Sequence, residues 1–190
     1  MAQQAKIAEF TGTEVISLPE AKTYLRIDFD TDDTYITDLI KIARMQVLKD
    51  TNVPVVTTTV TEYFRDWPAY NIFYLQYAGT MDNTVLKYYN TKSQEQTLTL
   101  DTDYRVINYC GTNTVEMINN NFNLEDRRNA ITFKYEVSPD NDDTARTLKI
   151  AMFMLIQHFY DNRSPVSFLK VEEMPLAYKH IIQQFKNYTW

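Results

Sequence analysis

The stretch ISLPEAKTYLRIDFDTDDTYITDLIKIARMQVLKDTNV, residues 16–53, contains two helix starts in succession. At the first start, Ser17 is followed three positions later by Glu20, which is the capping box that satisfies unpaired N–H groups at a helix N-terminus. Pro19 lies in the first turn, where a missing N–H removes no intrahelical hydrogen bond. The pattern predicts a short helix that runs to about Arg26.

The second start lies at residues 31–33, where carboxylates suit the positive end of a helix. The pattern that follows predicts an amphipathic helix that ends near Thr51–Asn52, before Pro54. Its apolar residues recur at helical spacing and are Ile36, Leu39, Ile40, Ala43 and Val47.

Between residues 55 and 137 the period changes from helical spacing to alternation. Val56, Thr58 and Val60 alternate with residues of the opposite face, and β-branched side chains dominate. Polar clusters such as 79–83 have the composition of turns. We expect an antiparallel meander or a small barrel. The predicted strands are 56–63, 71–77, 84–89, 96–100, 104–109, 114–118 and 130–137.

Helical spacing returns at residues 144–162, after a turn and N-cap signal. Ile150, Phe153 and Met154 widen the apolar stripe of this helix nearly all round. Such a helix is buried by several neighbours, or by its own fold on one side and another subunit on the other. The stripe itself consists of Leu148, Ala151, Met152, Leu155, Ile156 and Phe159.

A linker, residues 163–173, leads to a last helix after Pro175, and the chain ends in aromatic residues. Helices of about three turns are marginal in water alone, so the apolar residues of the last helix need a surface to bury against. We predict an α+β fold with one domain, 1–190. Its small helical core comes from both chain ends, 16–54 and 140–190, and a strand-rich antiparallel β insertion occupies 55–137.

The composition favours a globular protein, because 44% of the residues are apolar and 14 Tyr and 10 Phe are present. A formal net charge of −6 disfavours non-specific attraction to nucleic-acid phosphates. The only cysteine, Cys110, excludes an internal disulfide, and the three glycines form neither Gly-rich phosphate-binding motif. The sequence has no apolar run long enough for a membrane span or a signal peptide, so we expect synthesis in the cytoplasm. We also predict no cofactor.

The densest carboxylate cluster, residues 28–33, matches positions 1, 3 and 5 of a calcium-binding loop. The match then fails, because Asp33 stands where the loop needs Gly and Leu39 where it needs Glu. A solvated helix N-terminus is the better interpretation, with an opportunistic cation site as the alternative. We therefore predict no metal site.

The two histidines, His158 and His180, do not have the spacing of a metal-binding pair. His158 lies beside an apolar stripe, which favours a packed or interfacial role. An arrangement of Cys110, His158 and Asp161 for nucleophilic attack is conceivable, since such groups meet in space and not in sequence. A small hydrolase, using Cys110 or a pair of acids, is thus a minor alternative to a protein that is not an enzyme.

Two segments at the ends of the chain carry a family resemblance. The opening follows the pattern L-x-E-A-K-x-x-L-R-x-D, and the closing helix LKIAMFMLIQHFYDNRSPV, residues 148–166, ends in an aromatic-Tyr-Asp-Asn-Arg pattern before MPLAYKHIIQQFKNY, residues 174–188. Together they resemble the head-tail connector, or adaptor, proteins of tailed bacteriophages. The chain lacks the Gly often seen before the closing helix and has Ser138–Pro139 there. The matching residues are Leu18, Glu20, Ala21, Lys22, Leu25, Arg26, Asp28, Phe159, Tyr160, Asp161, Asn162 and Arg163.

The resemblance implies a structural subunit of a ring, usually of twelve copies, that docks on the portal at the head-tail interface of the virion. Tail or further ring proteins attach to it, and DNA passes through its lumen without being read. An acidic chain suits such a channel, because carboxylates repel the DNA backbone. A tail-completion or stopper ring is the alternative. We expect contact with the portal or the next subunit through Arg163, Tyr178, Ile181, Ile182, Phe185, Tyr188 and Trp190.

Overall fold

The computed structural model describes residues 5–10, 12–109, 112–119, 121–162 and 174–185, which form four helices and antiparallel sheets. The chain divides into two compact units. A helical unit consists of the described parts of 13–56 and 139–188, and a β unit consists of those of 1–12 and 57–138. The predicted α+β class is confirmed, with helices from both chain ends and strands between them. The prediction that the whole chain forms one domain stays a prediction.

The helical unit is built on the contact between α2 (Asp33–Thr51) and α3 (Asp142–Asp161). Both buried faces are the apolar stripes expected from helical spacing, although Phe159 is only half-buried. None of the helices in the described ranges is long and apolar enough to span a membrane. The buried residues of the two faces are Ile36, Leu39, Ile40, Ala43, Val47, Leu148, Ala151, Met152, Leu155 and Ile156.

The short helix α1 (Leu18–Leu25) begins with the predicted capping box. The backbone N–H of Ser17 donates to Glu20 Oε2 at 2.9 Å, and the backbone N–H of Glu20 donates to Ser17 Oγ at 3.4 Å. Glu20 also accepts a hydrogen bond from Lys149 Nζ at 2.9 Å, which ties α1 to α3. The pKa of Glu20 is lowered to about 2, first by the Ser17 N–H and then by Lys149.

The last helix, α4 (Leu176–Gln183), packs on α2 and α3 through one face. Tyr178 and Ile182 are buried on this face. The Tyr178 hydroxyl donates a hydrogen bond to Asp50 Oδ2 at 2.6 Å, and burial together with this carboxylate raises the pKa of the phenol. This contact joins residues that are 128 positions apart.

The β unit contains a five-stranded antiparallel sheet in the order β1-β2-β8-β4-β5. Thr58 pairs with Val137, so the strands at the entry and exit of the insertion lie side by side. Glu62 is fully buried and accepts a hydrogen bond from the Tyr135 hydroxyl at 2.7 Å. The strands are β1 (Ala5–Phe10), β2 (Thr58–Phe64), β4 (Thr80–Tyr89), β5 (Glu95–Thr97) and β8 (Ile131–Ser138).

A second sheet of three strands has the order β3-β7-β6, with β3 at Ile72–Tyr74, β6 at Tyr104–Tyr109 and β7 at Thr112–Met117. The strands are antiparallel as predicted, but neither sheet follows chain order, so the expectation of a meander was wrong. Turn composition predicts where a strand stops and carries no information on which strand becomes its neighbour.

Two local features of the β unit also differ from the sequence prediction. The edge strand β1 was not predicted at all. Residues 80–83, expected in a turn, belong to β4, which has an irregularity between Asp82 and Val85 where Asn83 adopts a φ of 50°. Asn tolerates this left-handed conformation, so a polar, turn-like cluster can lie inside a strand at a bulge. The true turn residue is Gly79, with a φ of 134°, where a Cβ would collide with the Ser138 carbonyl.

Replacing Ser17 by Ala removes one half of the capping box, and we expect it to reduce the free energy of unfolding by about 1 kcal/mol. The measurement is the midpoint of urea denaturation, followed by the far-UV circular dichroism signal of the helices. Thr31→Ala is the matched control, because its exposed hydroxyl forms no hydrogen bond within the described residues. Equal midpoints for Ser17→Ala and wild type would contradict the stabilising role of the cap.

Replacing Glu20 by Gln keeps an acceptor for the cap and removes the negative charge. Because the folded pKa of about 2 lies below the unfolded value of 4.5, the charge stabilises the fold above pH 4.5, and this contribution is lost as pH falls towards 2. Wild type should therefore be more stable than Glu20→Gln at pH 6, and the difference should vanish near pH 2. A difference that stays constant with pH would exclude a role for the charge.

Candidate assembly surfaces

The terminal helix presents only part of the contact set predicted from sequence. Tyr178 and Ile182 are buried within the helical unit, where they hold α4 in place. Ile181 and Phe185 are half-buried, and Leu176, which was not predicted, is 81% exposed. Arg163, Tyr188 and Trp190 lie outside the described residues. The contact with the portal or a neighbouring subunit stays a prediction.

A second surface of the helical unit, the α1–α3 face, consists of Tyr24, Ile150, Phe153, Met154 and Asp161. Tyr24 stacks on Phe153 with ring centroids 4.7 Å apart and still remains 42% exposed, while Ile150 is 50% exposed. Tyr24, Met154 and Asp161 line a groove of about 280 Å³. Exposed aromatic and aliphatic side chains around a concave surface are typical of protein contact sites.

At one end of the α1–α3 face the charged side chains form an ion pair, whereas at the other end a carboxylate has no ion-pair partner among the described residues. Glu20 and Lys149 form an ion pair at 2.9 Å next to Phe153. Asp161 is exposed at the last residue of α3, where the negative end of the helix disfavours a carboxylate. Asp161 forms no ion pair with any residue that the structure describes. A positive partner outside the chain would remove this electrostatic cost.

A third surface of the helical unit, the α2 face, consists of Asp38, Lys41, Ile42, Met45 and Lys49. Met45 is 63% exposed and Ile42 is 48% exposed, on the side of α2 opposite its buried stripe. Lys41 pairs with Asp38 at 3.2 Å, whereas Lys49 has no ion-pair partner among the described residues. The helix therefore carries a second, narrower apolar stripe flanked by charges.

The aromatic residues of the β unit divide between its interior and its surface. Trp67 packs edge-on against Tyr88 and Phe73, at centroid distances of 5.6 and 6.3 Å. Tyr70 and Tyr74 are exposed. Packing accounts for the Trp67 cluster, while the two exposed tyrosines form surface of the β unit.

Three of the candidate metal-binding carboxylates take part in structural contacts. In the acidic segment, Lys22 Nζ donates to Asp30 at 2.6 Å and to Asp33 at 2.8 Å, and the Tyr160 hydroxyl donates to Asp32 at 2.6 Å. Across the described ranges, no three His, Cys, Asp or Glu side chains are grouped to hold a metal ion.

The described residues do not show the arrangement of Cys110, His158 and Asp161 that was considered for nucleophilic attack. His158 packs against Phe159 and lies 3.3 Å from Asn162 Nδ2, and His180 is exposed. Cys110 lies outside the described residues. The interpretation of His158 as a packed residue agrees with this placement.

The α2 face was not predicted, because the strongest apolar stripe of that helix hides a weaker one. On α3, by contrast, Ile150, Phe153 and Met154 were predicted to widen the stripe, with another subunit as one way to cover them. Ile42 and Met45 are three positions apart on the far side of α2, a spacing that a helical projection would have shown. The exposure of Tyr24 could not be predicted from helical spacing in the same way. Its partner Phe153 is 129 positions away, and only the folded chain brings them together.

Comparison with solved structures gives the same architecture over nearly the whole chain. A chain in the neck of an empty gene transfer agent particle, computed with C6 symmetry, matches with a TM-score of 0.76, 12% identity and 97% of each chain covered. A chain in the virion of a native gene transfer agent particle gives 0.75, 12% and 97% of each chain. The neck of a native particle, computed with C12 symmetry, gives 0.67 and 13%, with 94% of this chain and 96% of that chain covered. At sequence identities of 12–13%, the structural similarity shows that these chains share a fold.

Comparison with protein families identifies the chain itself. No curated protein matches it. The family model described as phage gp6-like head-tail connector protein matches residues 15–109, which is half of the chain and includes α1, α2 and the strands from β2 to β6. The match confirms the family suggested by the two terminal segments, and with it a structural role at the head-tail interface of a virion. The chain belongs to the phage gp6-like head-tail connector protein family.

Proposed function

We propose that this chain is one subunit of a ring, with twelve copies, that docks on the portal and connects the head to the tail. The observation that carries the proposal is the family match over residues 15–109. The fold supports it, because chains of the same architecture occur in particle necks computed with C6 and C12 symmetry. Further ring or tail proteins would bind the side of the ring that faces away from the portal.

The protein is proposed to act by assembly and not by catalysis, and to need no cofactor. Two of its clustered carboxylates, Asp30 and Asp33, are engaged in ion pairs with Lys22. The surface of the helical unit also carries exposed apolar side chains, such as Met45 and Ile150, that do not contribute to its buried core. Surfaces of this kind bind protein, since burying them in an interface is favourable.

The ring is proposed to leave a channel through which DNA passes without sequence-specific contacts, and without any contact to a membrane. Each subunit carries a formal net charge of −6. Twelve such subunits would create a negative potential around the channel, and negative charge repels the DNA backbone. Repulsion allows the DNA to slide. The ring would form after synthesis in the host cytoplasm and function in the virion.

The terminal segment is proposed to supply the contact with the portal or the next subunit. In this arrangement Tyr178 and Ile182 anchor α4 to its own unit, while Ile181 and Phe185 begin the contact surface. Aromatic and Arg side chains commonly dominate interface energies. The remaining proposed contact residues are Arg163, Tyr188 and Trp190.

Truncation after Asn187 removes Tyr188 and Trp190 and leaves the anchoring residues of α4 intact. We expect the shortened chain to fold normally and its occupancy on portal-bearing heads, counted by electron microscopy, to fall by about tenfold or more. Tyr70→Ser, which removes an exposed aromatic of the β unit, is the matched control. Wild-type occupancy of the truncated chain would refute the contact, and binding to tails but not to portals would favour the stopper-ring alternative.

Replacing Tyr178 by Phe removes the hydroxyl that donates to Asp50 and keeps the ring. Because hydrogen bonds to charged groups contribute about 1.5–3 kcal/mol, we expect a loss of that order in the stability of the helical unit. Chemical denaturation followed by far-UV circular dichroism measures it. Asp50→Asn keeps an acceptor and should cost less, so equal losses for both variants would count against this explanation.

A further inference from the structure

We propose that neighbouring copies join through two different faces of the helical unit, the α2 face of one copy against the α1–α3 face of the next. This inference rests on the proposed ring and identifies the contact that would build it. A cyclic ring requires a heterologous contact, in which each subunit offers two distinct surfaces. Among its described residues the helical unit offers two different apolar surfaces of this kind, the α2 face and the α1–α3 face.

The two faces carry side chains at the same helical spacing. On the side of each helix that faces away from its buried stripe, residues are separated by four, three and four positions, the spacing that lets two helices pack along a shared seam. All of them are exposed except Met154, which is half-buried. On α2 the row is Asp38, Ile42, Met45 and Lys49. On α3 the row is Ile150, Met154, Gln157 and Asp161.

The charges select a parallel alignment of these two rows. In that alignment Lys49 of one copy lies opposite Asp161 of the next, and Ile42 lies opposite Met154. An antiparallel alignment would place Asp38 opposite Asp161, which is repulsive. Neither Lys49 nor Asp161 has an ion-pair partner among the described residues of its own chain. The contact would also relieve the carboxylate at the negative end of α3.

In this alignment Ile42 and Met154 form the centre of the apolar contact, which is flanked one turn to either side by Met45 and Ile150. Both are at least half exposed in the single chain, so a charge at either position is compatible with the fold. Tyr24, stacked on Phe153, extends the α1–α3 face beyond the helical row. Burial of these side chains would supply the affinity, and the charged pair would set the register.

The test uses two variants, each of which blocks one face. We expect Met45→Asp and Ile150→Asp to be folded monomers by native mass spectrometry, each raising the concentration needed for assembly by about tenfold or more. A mixture of the two should give a heterodimer and no ring, because each retains one working face and the two working faces are complementary. Ile118→Asp, at an exposed apolar residue of the β unit, is the control and should assemble like wild type.

A charge exchange tests the register and does not alter the apolar residues. Lys49→Glu alone should weaken assembly, and adding Asp161→Lys in the same chain should restore it, because every junction then contains the reversed pair. The proposed faces would be wrong if Met45→Asp and Ile150→Asp each formed rings normally, or if the double exchange failed to restore assembly. Neither result would contradict the proposed ring. If wild type forms no ring, either alone or on portal-bearing heads, the proposed function fails together with this inference.

Discussion

Burial of the α2 and α3 stripes against each other is the contact on which the rest of the molecule depends. The two stripes are more than 100 positions apart in the chain, so their association requires the intervening residues to return to their starting point. Pairing of β2 with β8 does this, because Thr58 lies beside Val137 and neighbouring strands are about 4.8 Å apart. The two ends of the insertion therefore lie side by side, as the contact between α2 and α3 requires.

The smaller helices depend on the same contact. The helix α1 is capped locally by Ser17 and Glu20 but is tied to α3 by Lys149. The helix α4 is held by Ile182 and by the hydrogen bond from Tyr178 to Asp50 of α2. Each is eight residues long, and helices of that length are not stable alone. Packing on α2 and α3 is what makes them persist.

A connector functions through the surfaces that remain after its own core is complete. In this chain the buried carboxylate of Glu62 has a structural explanation, because it accepts a hydrogen bond from the Tyr135 hydroxyl. The exposed apolar side chains of α2, α3 and α4 have no such explanation among the residues that the structure describes. An assembly protein is expected to have this distribution, because its binding energy comes from apolar area that another chain covers.

The sequence by itself determined the helices, their caps and the family. Helical periodicity and the Ser17–Glu20 capping box are local properties that local physics explains. The family was suggested by the resemblance of the two chain ends to known connectors, and the family match confirmed it. Strand order, the edge strand β1 and the placement of Asn83 in a bulge were decided by tertiary structure, because strand pairing depends on partners distant in sequence. The same holds for the candidate surfaces. Whether Tyr178 is buried or Met45 is exposed depends on which helix packs against each, and only the folded chain shows this.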